Sequence, residues 1–172
     1  MNSCYIGIGA NLGEPARTLR WAAAALHDET GCRVTHYSPI YQSAPIGPTG
    51  QPDYLNAVLA VETALAPLPL LDRLQAFEDA AGRQRGVQWG PRTLDLDLLL
   101  YDSLVFNIDR LQLPHPRLRE RNFVLQPLAD ICGADFALPD GSTLREHLAE
   151  CPANPLRRLE ISLRETHRVE AG

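Results

Sequence analysis

Lysine is missing altogether: the 16 basic residues of this 172-residue chain are all arginine. No phosphate loop ending in GK[ST] is therefore possible, nor any Schiff base through a lysine amine. Cysteine is confined to Cys4, Cys32, Cys132 and Cys151, with no CxxC pair and no histidine at zinc-finger spacing. That excludes a zinc finger, and a domain of this length needs no disulfide staple, so the four are expected to be reduced thiols of a cytoplasmic protein. No stretch approaches the roughly 20 apolar residues of a membrane span. The opening MNSCYIGIGANLG lacks the basic start and apolar run of a secretory signal, so no membrane partner is expected. Excess positive charge is also absent. A net charge of −5 argues against a generic nucleic-acid binder, whose surface is usually basic.

What remains, 45% hydrophobic and 22% charged residues, is the composition of an ordinary globular chain. We expect one domain over 1–151 and a polar tail over 152–172, partly helical through the spacing of Leu156, Leu159 and Leu163. Cys4 to Gly9 reads as a strand and leads through a turn into a helix carrying Leu19, Ala23 and Leu26. Gly7, Gly9 and Gly13 fail the dinucleotide fingerprint at Leu12, and close packing of strand against helix accounts for them better. Arg33 to Gln42 predicts a second strand, with Pro39 marking an edge or a break. After a loop over 43–53 comes a long strand from Tyr54 to Thr63. Its Leu55, Ala57, Leu59 and Val61 share one face, and Tyr54, Asn56 and Val58 the other. Pro67 to Ala81 is an amphipathic helix closed by Gly82, with Leu70, Leu74, Phe77 and Ala81 inward. Further on, a hairpin is expected over 105–113, a helix over 123–131 interrupted by Pro127, and a short strand over 136–138. Thr143 and Glu146 then have the spacing of a capping box.

Between helix and hairpin lies GPRTLDLDLLLY, Gly90 to Tyr101. A strand's period of two sets Leu94, Leu96, Leu98 and Leu100 on one face and Asp95, Asp97, Leu99 and Tyr101 on the other. Paired carboxylates beside a buried sheet repel each other and resist desolvation, and a hard divalent cation such as Mg²⁺ carrying substrate phosphates relieves both costs. The alternative is an exposed strand face with two solvated aspartates. Arginines bracket the pair: Arg83, Arg85 and Arg92 before it, Arg110, Arg117, Arg119 and Arg121 with His115 after it. Such an arrangement suits a polyphosphate, with guanidiniums on its outer oxygens. Tyr54, Trp89 and Phe123 stand beside polar or turn positions and, with the Asn56 amide, suit the faces and edge of a flat heterocycle. For any one of these aromatics alone, core packing is the default.

The segments YIGIGANLG, SAPIGPTGQPDYLNAVLAVET, GRQRGVQWGPRTLDLDLLLY and LPHPRLRERNFVLQPLADI, in this order and spacing, closely resemble the 6-hydroxymethyl-7,8-dihydropterin pyrophosphokinases of folate biosynthesis. The resemblance runs from about Tyr5 to Glu150 and implies an α+β fold, a ferredoxin-like core whose antiparallel sheet has helices on both faces. It implies transfer of the pyrophosphoryl group of ATP to 6-hydroxymethyl-7,8-dihydropterin, leaving AMP. By position, Asp95 and Asp97 would hold two Mg²⁺ ions, and Arg83 and Arg92 would join them in catalysis. Gln75, Glu78, Arg85, Arg110, His115 and Arg121 would meet ATP, while Ser43, Pro45, Tyr54, Asn56, Trp89 and Phe123 would form the pterin pocket. The chain is expected to act as a monomer. Two rivals stay open: a Mg²⁺-dependent nucleotidyltransferase, which would release pyrophosphate, and a non-catalytic binding homologue such as an RNA-binding module.

Overall fold

β1 (Asn2–Ala10) and β4 (Tyr54–Thr63) pair antiparallel along their full length, from Asn2 opposite Thr63 to Ala10 opposite Leu55. They form the middle of a six-stranded sheet in a computed structural model that describes residues 1–45, 50–82 and 93–164. β5 (Asp95–Tyr101) lies against the other edge of β1. Beyond β4 two short strands follow one another, β2 (Cys32–Tyr37) beside its far half and β3 (Tyr41–Ser43) beside its start. The break between them falls at Pro39, where Ser38 takes over: its Oγ accepts from Val58 N at 2.8 Å and donates to Pro39 O. All pairings are antiparallel. α1 (Pro15–Asp28) carries the chain from β1 to β2, and α2 (Pro67–Ala80) from β4 to β5. A βαββαβ unit with this strand order is the expected ferredoxin-like arrangement.

Helices cover both faces. α1 and α2 bury Leu19, Leu26, Leu70 and Leu74 against Ile6, Ile8, Leu59 and Leu98. On the opposite face α3 (Asn122–Cys132) and α4 (Leu144–Glu150) bury Leu125, Leu128 and Leu144 against Val58, Leu99 and Leu100. Local chemistry sets the ends of these helices. Pro15 and Pro67 open the first two, where a missing N–H costs nothing. Gly82, at φ +79°, follows the last turn of α2. The Thr143–Glu146 capping box forms as expected and starts α4. A hairpin of β6 (Phe106–Ile108) and β7 (Leu111–Leu113) follows β5. Among the described residues no helix is long and apolar enough to cross a membrane.

Four expectations need correction. Strict alternation in β5 fails at Leu99, because Ile6 faces Leu98 while Tyr5 faces Leu100, leaving Leu99 as an extra residue. This bulge turns Leu100 to the α3 face and Tyr101 to the α1–α2 core. Pro127 does not interrupt α3; it is buried within a continuous helix that forgoes only the bond from its missing N–H. Residues 136–138 form a single bridge, Ala137 to Thr143, rather than a strand. The described part of the tail is not helical: Leu156–Arg158 is strand β8, paired with β3 at the sheet edge, and Leu163 is 3% exposed in the first core. Its leucines answer to the free edge of β3 rather than to a helix period.

Candidate active site

A cleft of about 390 Å³ opens on the α3 face, where that helix leaves one end of the sheet uncovered. Strand register builds its floor. Asp95 faces Gly9 and Asp97 faces Gly7 across the β1–β5 pair, and on its other side Gly9 faces Asn56 of β4. Each carboxylate thus has a neighbour without a side chain. A Cβ on Gly9 would stand 2.8 Å from Asn56 Oδ1, and one on Gly7 3.5 Å from Leu99. Both glycines line the cleft, so open floor rather than strand-against-helix packing accounts for them.

The walls come from three other elements. Asn56 is 9% exposed and its Nδ2 donates to Ser43 Oγ at 3.1 Å, which fixes the amide with its oxygen over Gly9. Tyr54 and Ala44 extend this side. Opposite, the segment before α3 supplies His115, Pro116, Arg117 and Arg121, and the first turn of α3 supplies Phe123 and Val124. The Arg121 guanidinium lies 5.6 Å from the centroid of the Phe123 ring. Its burial lowers the arginine's pKa, while Asp97 pushes the other way. His115 is held through both its main chain and its ring: its main-chain N donates to Leu99 O, and its Nδ1 accepts from Arg117 N at 3.2 Å. Burial first, then the Arg121 charge, press its pKa down to about 4 against the pull of Asp95. The ring is therefore neutral, with its proton on Nε2, 3.8 Å from Asp97 Oδ1.

Of the residues expected from the sequence, Asp95, Asp97, His115, Arg121, Ser43, Tyr54, Asn56 and Phe123 meet at this cleft. Pro45 is not among its lining residues, although Ser43 and Ala44 are. Gln75, Glu78 and Arg110 are not brought there either. Arg110 reaches Asp72 and Gln75 on α2. Glu78 is 3% exposed beneath β5, where its carboxylate accepts from Leu96 N at 3.0 Å. It thereby grips the residue between the two aspartates. Arg83, Arg85, Trp89 and Arg92 lie outside the described residues. Gly7 and Gly9 were missed as site residues, although two glycines at a strand's period of two signal a bare face.

No group of three or more metal-binding side chains occurs among the described residues. Two carboxylates over a floor without Cβ atoms nevertheless suit a hard cation that takes its remaining oxygens from phosphates and water, as Mg²⁺ does. Neutral His115, the arginines and the Asn56 amide add donors for an anion and a polar heterocycle edge.

Comparison with known proteins gives the chain's family. The family model of 7,8-dihydro-6-hydroxymethylpterin-pyrophosphokinase matches residues 5–133. A Pseudomonas aeruginosa protein named 2-amino-4-hydroxy-6-hydroxymethyldihydropteridine pyrophosphokinase is 46% identical over 155 residues, covering 90% of this chain and 95% of its own. Its namesake from Haemophilus influenzae is 42% identical over 146 residues, 85% of this chain and 91% of its own. Among solved structures, wild-type Plasmodium falciparum HPPK-DHPS with pteroate superposes at a TM-score of 0.67 and 13% identity over 87% of this chain, a likeness of fold. The chain spans 42% of that longer protein. By that family model and these relatives, the chain belongs to the 7,8-dihydro-6-hydroxymethylpterin-pyrophosphokinase family.

Proposed function

We propose that this pyrophosphokinase moves the β,γ-pyrophosphoryl group of ATP to the hydroxymethyl oxygen of 6-hydroxymethyl-7,8-dihydropterin, at the cleft over Gly7 and Gly9. The oxygen forms a bond to the β-phosphorus and releases its proton to water as the bond from that phosphorus to the oxygen bridging to the α-phosphate breaks, and AMP leaves with the bridging oxygen. The observation that carries the reading is the register of Asp95 and Asp97 with two glycines, which gives two carboxylates room to share phosphate-bound cations. Asp95 and Asp97 would hold two Mg²⁺ ions, which would neutralise phosphate charge and stabilise the charge that develops during transfer.

Every other part of the work falls to the chain's own groups. Arg121 and Arg117 offer guanidiniums to the outer oxygens, and His115 offers Nε2–H from a ring already desolvated. Phe123 presents a ring face to the pterin. Ser43 and Asn56 present hydroxyl and amide to its edge, in an orientation their mutual hydrogen bond has fixed in advance. Arg83, Arg92, Arg85 and Trp89 complete the proposed set from the sequence. Phosphoryl chemistry asks for positioning and charge neutralisation more than for a protein nucleophile.

The test is incubation with ATP, Mg²⁺ and 6-hydroxymethyl-7,8-dihydropterin, with metal-free and pterin-free controls. Equal amounts of AMP and pterin pyrophosphate, dependent on both, are expected. Pyrophosphate in place of AMP would identify a nucleotidyltransferase, and no turnover a binding homologue. Asp97→Ala is expected to lower kcat at least about 100-fold with an unchanged melting temperature, since it removes a cation ligand and no core. Near-normal turnover in that variant would remove the metal assignment.

A further inference from the structure

The chain after α4 wraps the β3 edge of the sheet and meets the framework of the cleft twice. Asn122 Nδ2 donates to the main-chain oxygen of Asn154 at 2.6 Å in a partly buried setting. Only a donor can face a carbonyl, so the orientation of the Asn122 amide is determined. Asn122 is the first residue of α3 and stands between Arg121 and Phe123, which both line the cleft. Two residues beyond Asn154, Leu156 pairs with Ser43, whose hydroxyl accepts from Asn56. The segment is then fastened on the far side of the sheet. Leu159 N donates to Ile40 O, Arg20 Nε donates to Ser162 O at 2.8 Å, and Leu163 enters the core shared with α1 and α2.

We infer that residues 154–164 are a strap that positions the cleft, and that Asn122 is its clasp. The argument rests on what the first turn of α3 lacks. No side chain caps its N-terminus, where the Val124 and Leu125 amides bond to Arg121 O. An uncapped first turn frays, and here fraying would swing Arg121 and Phe123 together. The bond to Asn154 ties that turn to a segment anchored in the opposite core. Farther along, Tyr41 of β3 bonds Asp130, so α3 is held near its start by the strap and near its end by the sheet edge that the strap borders. Asn122 is a positioning residue; it touches no reacting atom.

The substrate in the test rests on the pyrophosphokinase reading, whereas the clasp does not. Asn122→Ala, Asn122→Asp and Asn154→Ala are made in the full chain and assayed for KM, kcat, melting temperature and amide hydrogen exchange. Asn122→Ala is expected to raise the KM for the pterin about fivefold while kcat stays within about twofold, the size of one lost hydrogen bond. Exchange at Val124 and Leu125 should quicken. Asn122→Asp, which sets a carboxylate oxygen against the carbonyl, should do at least as much, and Asn154→Ala, which keeps the carbonyl, should follow the wild type. A lower melting temperature with KM and exchange unmoved would overturn the strap, as would equal effects from Asn122→Ala and Asn154→Ala. A wild-type protein without turnover would sink the pyrophosphokinase reading, and the exchange data would then decide the clasp alone.

Discussion

Gly9 is the residue on which the cleft is most sensitive to a single methyl group. A Cβ there would meet the end of a flexible side chain, Asn56 Oδ1, and no main-chain atom within 3 Å. The fold can absorb that by turning the amide; the site cannot, because Asn56 would lose its bond to Ser43. Gly9→Ala is therefore expected to shift the melting temperature by no more than a few degrees while raising the pterin KM roughly tenfold. Parallel melting and steady-state measurements check this, and an unchanged KM would contradict it. His115 makes a second residue-scale prediction. Its pKa is about 4 in the folded protein against an ordinary 6.5, so between those values the unfolded chain binds the extra proton. Stability is then complete above pH 6.5 and falls as pH drops toward 4, by roughly 3 kcal/mol over the whole window. Urea midpoints for the substrate-free protein and for His115→Gln, compared at pH 7 and 4.5, should show the wild type losing more.

At the scale of elements, β5 matters most, and it is an edge strand. One side pairs with β1; on the other, Glu78 of α2 takes up Leu96 N. Glu78→Ala would leave that buried N–H without its acceptor, a cost of about 1–3 kcal/mol. It should also lower turnover by loosening Asp95 and Asp97 together, which thermal melts and AMP formation would measure side by side. An unchanged melting temperature would count against the grip. The sequence shows half of this element. Leucines at 94, 96 and 98 against aspartates at 95 and 97 declare which face is wet. The bulge at Leu99 does not show, because it depends on how Tyr5 and Ile6 are spaced on another strand. Glu78 carried a readable signal: it continues the stripe of Leu70 and Leu74 at intervals of four, where an acidic residue must be buried and bonded. Strand β8 carried none in its own pattern, since three residues with two exposed arginines become a strand only when β3 has an edge to offer.

Considered as a whole, the molecule is two cores sharing one sheet. Val58 faces one core and its neighbours Ala57 and Leu59 the other. Neither core can melt while the other keeps β1 and β4. Leu125→Ala, at a position with no exposed surface in the α3 core, is expected to cost about 2–5 kcal/mol and still to unfold in a single transition. Trp fluorescence, with Trp21 beside Phe77 of α2, and far-UV circular dichroism should fall together. Separated midpoints would show that the layers are independent. The shared sheet is also why the architecture was legible from the chain: runs with inward faces of opposite sense, such as Tyr54 to Thr63, require helices on both sides. What local patterns could not reveal was how late segments close on early ones.

Pairing of β3 with β8 joins a strand made early in synthesis to one made long after it. A ribosome releases the chain from its N-terminus, so the aspartates, the glycines and even α3 emerge before the strand that borders Ser43. Until then β3 is an open edge, free to recruit any extended segment nearby. During synthesis, therefore, the sheet edge beside the cleft stays incomplete until nearly the whole described chain has been made.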